Sequence, residues 1–308
     1  MGRVGVDLYP LDVGVTLDQV TTFAKFVGGS ATNVAVAAAR HGRRSAVITR
    51  TGADSFARFV HQALRDLGVD DRFVTPVPGL PTPITFCEIF PPDHFPLVFY
   101  RFPKAPDLEI FPSEIDLDAV RAAGVFWATV TGLSDEPSRA AHHTAWEARE
   151  RRSLTVLDLD YRPMFWSSPQ EAHRRVAEAL PNVTVAVGNV EEAQIAVGRA
   201  DPIDAAKALI DLGVELAIVK RGPQGVVAMS SSERVDVPPC RIEVLNGLGA
   251  GDGFGGALCH GLLAGWPLRQ VIEFANVAGA IVASRLECST AMPTTAEVED
   301  LLSGLANA

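Results

Sequence analysis

Short, wholly apolar β-branched runs alternate with amphipathic stretches along most of this chain, and no other feature limits its fold as tightly. The run Val125-Phe-Trp-Ala-Thr-Val130 has no polar side, as expected of a strand covered on both faces by helices in a parallel sheet. Similar runs predict strands at Arg3–Leu8, Ser45–Thr49, Leu154–Leu159, Thr184–Val187, Leu216–Lys220 and Val226–Met229. Helical patterning is expected over Thr32–His41, Ser55–Leu67, Pro137–Arg152, Pro169–Leu180, Ile203–Leu212, Gly253–Leu263, Leu268–Arg285 and Thr295–Leu305. Repeated βα units imply an α/β sandwich.

Two segments break the alternation. Pro81–Lys104 reads as strands Ile84–Phe90 and Pro96–Arg101 joined by Pro91-Pro-Asp-His94, while Leu11–Val27 lacks a helical stripe and runs into a Gly-Gly turn. Both suit a small β-sheet lid, formed from residues 11–28 and 81–104, beside the main sheet of a single domain spanning 1–308. The balance of 47% hydrophobic and 21% charged residues is that of a globular chain with a sizeable core. No apolar run approaches the roughly 18–20 residues that cross a bilayer. The opening Met1-Gly-Arg-Val-Gly-Val-Asp7 puts an acid where a signal peptide is apolar, so a cytoplasmic location is expected. The four cysteines, Cys87, Cys240, Cys259 and Cys288, form no C-x-x-C pair and read as buried thiols. A formal charge of −10 speaks against a nucleic-acid partner. His142-His143 falls in a helix read as polar, with no acid or cysteine beside it to make a metal site.

The segment Gly247-Leu-Gly-Ala-Gly-Asp-Gly-Phe-Gly-Gly-Ala257 carries the strongest chemical signal. Glycines let backbone N–H groups approach a ligand, and a helix N-terminus favours phosphate. Asp252 is out of place in a phosphate cradle unless it takes a proton from an attacking hydroxyl. The alternative is a packing turn whose Asp caps the helix. Gly251, Gly253 and Gly256 match G-x-G-x-x-G formally, but two helices and no strand are expected after them, against the dinucleotide motif. No G-x-x-x-x-G-K-[ST] occurs. Gly28-Gly-Ser-Ala-Thr-Asn33 offers amides and an amide side chain to polyol hydroxyls, or else a hinge with Ser30 or Thr32 as N-cap.

Together these segments resemble the ribokinase-like (PfkB) carbohydrate kinases. Matches continue in the expected order through Asp158-Leu-Asp160-Tyr-Arg162, an Asn189-Val-Glu-Glu192 turn and Lys220-Arg-Gly222-Pro-Gln-Gly225. The resemblance implies a three-layer sandwich with a mostly parallel central sheet, using ATP and Mg²⁺. It implies Asp252 as base, with the amides of Gly249, Ala250 and Gly251 as anion hole. Asn189 and Glu192 would organise Mg²⁺ through water, Lys220 to Gly225 (Gly222 included) would lie along the nucleotide, and Asn276 near the adenine. Asp7, Gly28, Gly29 and Asn33 would hold sugar hydroxyls. Gly2-Arg-Val-Gly-Val-Asp-Leu-Tyr-Pro10 and Thr85-Phe-Cys-Glu-Ile-Phe-Pro-Pro-Asp-His-Phe-Pro96 are similar to one branch of the family. So are Phe99-Tyr-Arg-Phe-Pro-Lys-Ala-Pro-Asp107 and Asp158 to Trp166. That branch phosphorylates the terminal hydroxyl of a keto-deoxy-gluconate in inositol catabolism.

An acidic sugar needs a local cation in so acidic a protein, and Arg101, Lys104 and Arg162 are the candidates. Many family members have Asp-Thr where this chain has Asn246-Gly247, which leaves a monovalent-cation requirement doubtful. The other readings are a 2-keto-3-deoxygluconate kinase or fructokinase, a dinucleotide-dependent oxidoreductase, or a non-catalytic sugar-binding regulator. A homodimer through the lid edge is a further expectation.

Overall fold

The computed structural model describes residues 1–306 and divides into two compact units. An N-terminal unit holds Arg3–Asp107, Cys240–Gly265 and the chain from Glu273 onward; a middle unit holds Met1–Gly2, Leu108–Pro239 and Trp266–Ile272.

The N-terminal unit begins with β1 (Gly5–Pro10), β2 (Phe23–Gly28), α1 (Ser30–Arg40), β3 (Ser45–Ala46), β4 (Thr49–Gly52) and α2 (Ser55–Asp66). There follow β5 (Val69–Asp70), β6 (Val74–Val77), β7 (Ile84–Cys87) and β8 (Leu97–Tyr100). Its main sheet has the order β2-β1-β7-β8, with β1 antiparallel to β2 and parallel to β7. Helix α2 shows how local rules set these elements. Asp54 caps it by accepting from the Ala57 amide, and Ala57, Val60 and Leu64 form its buried stripe, as helical spacing dictates. The core gathers Val4, Val6, Val27, Val36, Leu64 and Ile89 with Val282 and Met292.

The middle unit runs α3 (Leu117–Ala122), β9 (Phe126–Thr129), α4 (Ser138–Arg149), β10 (Thr155–Asp158), α5 (Pro169–Ala179), β11 (Val185–Asn189) and α6 (Val190–Val197). It continues with α7 (Pro202–Asp211), β12 (Leu216–Lys220), β13 (Val226–Ser230) and β14 (Arg234–Val237). One six-stranded sheet has the order β14-β13-β12-β11-β10-β9. Strands β9 to β12 pair in parallel, and β13 and β14 close it antiparallel. Strands β9 and β10 are buried at every residue, which accounts for their unbroken apolar sequence. The last helices are α8 (Ala250–Ala264), α9 (Leu268–Ala283) and α10 (Thr295–Ala306).

The structure corrects the sequence reading in several places. Strands β5, β6 and β14 and helix α3 were not expected, and the Leu11–Val27 segment, expected to be β without bounds, ends in a strand paired along the whole of β1. Helix α8 starts at Ala250 rather than Gly253. Asn189–Glu192 is not a turn but the head of α6. Helix α4 is not simply polar: His142 is fully buried, its Nδ1 2.8 Å from the Ser138 carbonyl. Phe126 and Trp127 are core residues, as are Cys87, Cys259 and Cys288, while Cys240 is only half-buried.

Candidate active site

Asp252 lies in the first turn of α8, behind Gly249, whose φ of 80° suits a residue without a side chain. A Cβ on Gly249 would stand 2.1 Å from Cys288 Sγ. The Asp252 carboxylate does not cap its own helix. The Ser30 hydroxyl donates to Oδ1 at 3.0 Å and the Asn33 amide donates to Oδ2 at 2.9 Å. Ser30 and Asn33 stand one turn apart on α1, so they present one face. The N-cap of α1 is Gly29, without a side-chain hydrogen bond; neither Ser30 nor Thr32 fills that role. Thr32 instead donates to the Arg3 carbonyl at 2.9 Å. The two helices meet closely, for a Cβ on Gly256 of α8 would lie 2.3 Å from that of Ala37.

The Ala250 and Gly251 amides head α8, where a helix leaves its first N–H groups outside its own ladder; that of Ala250 makes a long bond to the Gly247 carbonyl at 3.4 Å. The Asp252 and Gly253 amides turn back to the Gly249 carbonyl at 3.0 and 2.9 Å. Asn276 stands half-buried on α9. One turn later, Gly279 packs against the Ala250 carbonyl, which a Cβ there would approach to 2.8 Å.

Asp7 completes this group. Its carboxylate lies so near Gly28 that a Cβ on that glycine would be 2.0 Å away. Burial raises the Asp7 carboxyl to about 7; the Arg3 charge and a Thr85 hydroxyl bond act against the rise, and the Asp252 charge adds to it. Strand register puts Phe26, Asp7, Thr85 and Phe99 side by side across four strands. Arg3, itself buried, has its guanidinium 5.8 Å from the Phe99 ring. Arg3, Ser30 and Thr85 were all missed by sequence reasoning. Ser30 was given only the role of a possible N-cap, and Arg3 and Thr85 stood merely within quoted stretches.

Arg101 follows the last residue of β8, two positions from Phe99. Its side chain is 10% exposed, against 58% for the residue Tyr100, so alternation turns it inward. It already has a partner: Nη2 donates at 2.7 Å to Asp107, whose side chain is 1% exposed. Lys104 is half-buried in the loop that follows.

In the middle unit, Asn189 and Glu192 form a reciprocal capping box. Asn189 Oδ1 accepts from the Glu192 amide at 2.9 Å, and Glu192 Oε2 accepts from the Asn189 amide at 2.7 Å. Such a box explains both residues structurally, yet it occupies only one Glu192 oxygen. Burial raises the Glu192 carboxyl; Lys220 lowers it, Asp160 raises it and Arg162 lowers it. Lys220 ends β12 directly opposite Asn189. Arg162 Nη2 is 2.9 Å from the buried Asp160 carboxylate. Two acids and two cations therefore converge at the carboxyl ends of β10 to β12, the edge of an α/β sheet where ligands bind. Gly222 and Gly225 form the tight turn into β13. Among the described residues no cluster of three His, Cys, Asp or Glu side chains forms a metal cage.

Gly251, Gly253 and Gly256 all lie within α8 and follow no strand, which is not the dinucleotide arrangement. Asn246 is fully buried. Its Nδ2 donates to the Leu286 carbonyl at 2.7 Å and its Oδ1 accepts from the Leu248 amide at 3.0 Å. Among the described residues no helix is long and apolar enough to cross a membrane.

The pfkB family of carbohydrate kinases matches residues 1–295. A 5-dehydro-2-deoxygluconokinase of Geobacillus thermodenitrificans (strain NG80-2) is 32% identical, covering 98% of this chain and 91% of its own. The enzyme of the same name from Shouchella clausii (strain KSM-K16) is 32% identical, covering 98% and 94%. The crystal structure of a fructokinase double mutant from Vibrio cholerae O395, bound to fructose, ADP and potassium, superposes with a TM-score of 0.84. It is 26% identical over 98% of this chain and 96% of that one.

Proposed function

This chain is a member of the pfkB family of carbohydrate kinases, and from that premise we propose how its own residues act. The reaction is transfer of the γ-phosphoryl group of ATP to the 6-hydroxyl of 5-dehydro-2-deoxy-D-gluconate, a step of myo-inositol catabolism. The acceptor is that of the similar relatives named 5-dehydro-2-deoxygluconokinase. The observation that carries the mechanism is the Asp252 carboxylate at the head of α8, bonded at both oxygens from α1. A carboxylate so held is an oriented anion beside amides suited to phosphate.

Asp252 takes the proton of the 6-hydroxyl as its oxygen bonds to the γ-phosphorus. The bond from that phosphorus to the ADP oxygen breaks, and the amides of Gly249, Ala250 and Gly251 receive the developing charge. Asp7, Gly28, Gly29 and Asn33 bind the sugar hydroxyls. A Cβ at Gly28 would fill the space of the Asp7 carboxylate.

In the nucleotide's binding, Lys220 to Gly225 act along the phosphates and Asn276 at the adenine. Glu192 keeps one oxygen outside the capping box, and Asp160 beside it raises its carboxyl. A divalent cation relieves that repulsion, and hard oxygen donors suit Mg²⁺, which keeps most of its waters. Asn189 acts by fixing Glu192. Such an ion, held through Glu192, would supply charge neutralisation to the phosphates.

The substrate carboxylate is taken by Arg101, turned inward just after β8, with Lys104 in the same loop and Arg162 as the further candidate cations. The β2-β1-β7-β8 sheet acts as the lid that excludes water. Its outer edge, with Val98, Tyr100 and Phe102 at 40%, 58% and 79% exposure, suits pairing with a second copy. A cytoplasmic location fits the use of ATP.

The test is Asp252→Asn in the purified protein. Turnover of the acidic keto-sugar with MgATP falls about 10²–10⁴-fold, the usual worth of a general base, while ATP binding measured by calorimetry is kept. Near-normal turnover removes Asp252 from the chemistry.

A further inference from the structure

We infer that Ser30 is a positioning residue for the base: its hydroxyl, clamped to Asp252 Oδ1, aims the carboxylate and keeps it ready to accept a proton. This rests on the reading of Asp252 given above and adds a residue to it.

Ser30 opens α1 and is 5% exposed. Its hydroxyl donates to Asp252 across 222 positions of sequence. The contact is not an incidental meeting of two mobile groups. Gly256 lets α8 lie against the backbone of α1 at Ala37 and Ala38, so the helices cannot drift apart without opening that packing. Gly29 immediately before Ser30 has φ of 102°, and a Cβ there would lie 2.4 Å from the Arg3 carbonyl. The start of α1 is thereby pinned from both sides.

The donors divide between the oxygens, Ser30 on Oδ1 and Asn33 on Oδ2, with the Cys288 thiol a longer contact to Oδ2 at 4.0 Å. One bond would leave the carboxylate free to rotate about its Cβ–Cγ axis; two fix its plane. Asp252 also shares its surroundings with the Asp7 carboxyl, whose ionisation it opposes. Donors to a carboxylate favour its anion. Ser30 supplies one such donor.

The test uses the full-length protein with Ser30→Ala, Ser30→Thr and Asp252→Asn. Carbon-13 carboxyl titration of Asp252 reads the clamp without any turnover. In Ser30→Ala its midpoint rises by roughly one pH unit, the effect of removing one donor from a charged carboxylate. Kinetically, kcat falls roughly ten-fold and the acidic limb of the rate profile moves up with it, while KM for the sugar changes little. Ser30→Thr, which keeps the hydroxyl, restores midpoint and rate toward wild type. A purely structural serine would lower stability and leave the titration where it was. An unmoved midpoint in Ser30→Ala, with Asp252→Asn inactive, overturns the positioning role and spares the base. Full turnover in Asp252→Asn overturns the base itself.

Discussion

Replacing Asp7 by Asn isolates the cost of this site to the fold. Asp7 is part-buried beside Asp252, and its carboxyl is raised from 3.8 to about 7, chiefly by burial. Above pH 4 the unfolded chain releases this proton, while the folded protein keeps it until pH passes about 7. The favourable contribution of the neutral acid is therefore complete below pH 3.8 and is lost as pH rises through 7. At about 1.4 kcal/mol per unit, the full loss is about 4 kcal/mol. Asparagine imitates the neutral acid at every pH and does not titrate. The variant should thus gain on wild type as pH rises, by about 3 kcal/mol between pH 5 and pH 8, and no further above that. Groups that do not face Asp7 titrate alike in both proteins and cancel in the comparison. The assay is urea unfolding of both proteins at pH 5, 6, 7 and 8 and constant ionic strength. A gap that stays constant across that range, or a variant less stable at pH 8, refutes the reasoning: Asp7 would then be ionised without penalty, held by Arg3. Acceptor turnover should fall in the same variant, so that stability is gained where function is lost.

Removing Arg101 alone leaves Asp107 as a buried, uncompensated charge, so Arg101→Ala should cost about 3–5 kcal/mol in unfolding experiments. The paired variant Arg101→Gln/Asp107→Asn avoids that cost and should raise KM for the acidic sugar roughly ten- to a hundred-fold, leaving KM for ATP unchanged; an equal rise for a neutral analogue would end the carboxylate assignment. Asn246→Asp puts an oxygen against the Leu286 carbonyl in place of the donor now there, so the variant should lose about 1–3 kcal/mol and recover it in K⁺. Wild-type activity should change little when K⁺ replaces a large organic cation; the same melting temperature for the variant in both salts would argue against a cation position. Burial holds His142 down at about 3, so its contribution is present above pH 6.5 and is lost as pH falls; at pH 5 the loss is about 2 kcal/mol. His142→Gln should flatten the stability profile between pH 7 and 5, and parallel profiles would contradict this.

What could be read from the sequence was what a few neighbouring residues determine. Strand β12 was found to its exact ends, and α2 to within one residue. Its apolar spacing, and the Asp54 cap that starts it, lie within three or four positions of one another. The bounds of strand β2 escaped because half of its residues are only half-buried, which leaves no alternation to detect. The Asn189–Glu192 capping box was legible in principle, as an Asn followed three positions later by Glu.

The candidate site divides along the same line. Motifs located Asp252 and Asn33 because glycines around them announce close backbone approach, but no local pattern says which carboxylate a serine will meet. The Ser30 contact spans 222 positions, and the Asp7–Thr85–Phe99 row depends on a register between β1, β7 and β8. Register is set by the burial of a whole face rather than by any one residue. Arg101 shows the limit most sharply. Its charge argued for a substrate anion, whereas the fold gives it Asp107, six positions on, as an internal anion. Taking the substrate's carboxylate then means sharing or exchanging that partner, and the guanidinium has donors enough for both. The internal pair keeps the cation ordered before the sugar arrives, which lowers the entropy lost on binding. An acid placed against the binding cation thus weakens its field but fixes its direction, and the paired Arg101/Asp107 variant, compared with each single change, separates those two effects.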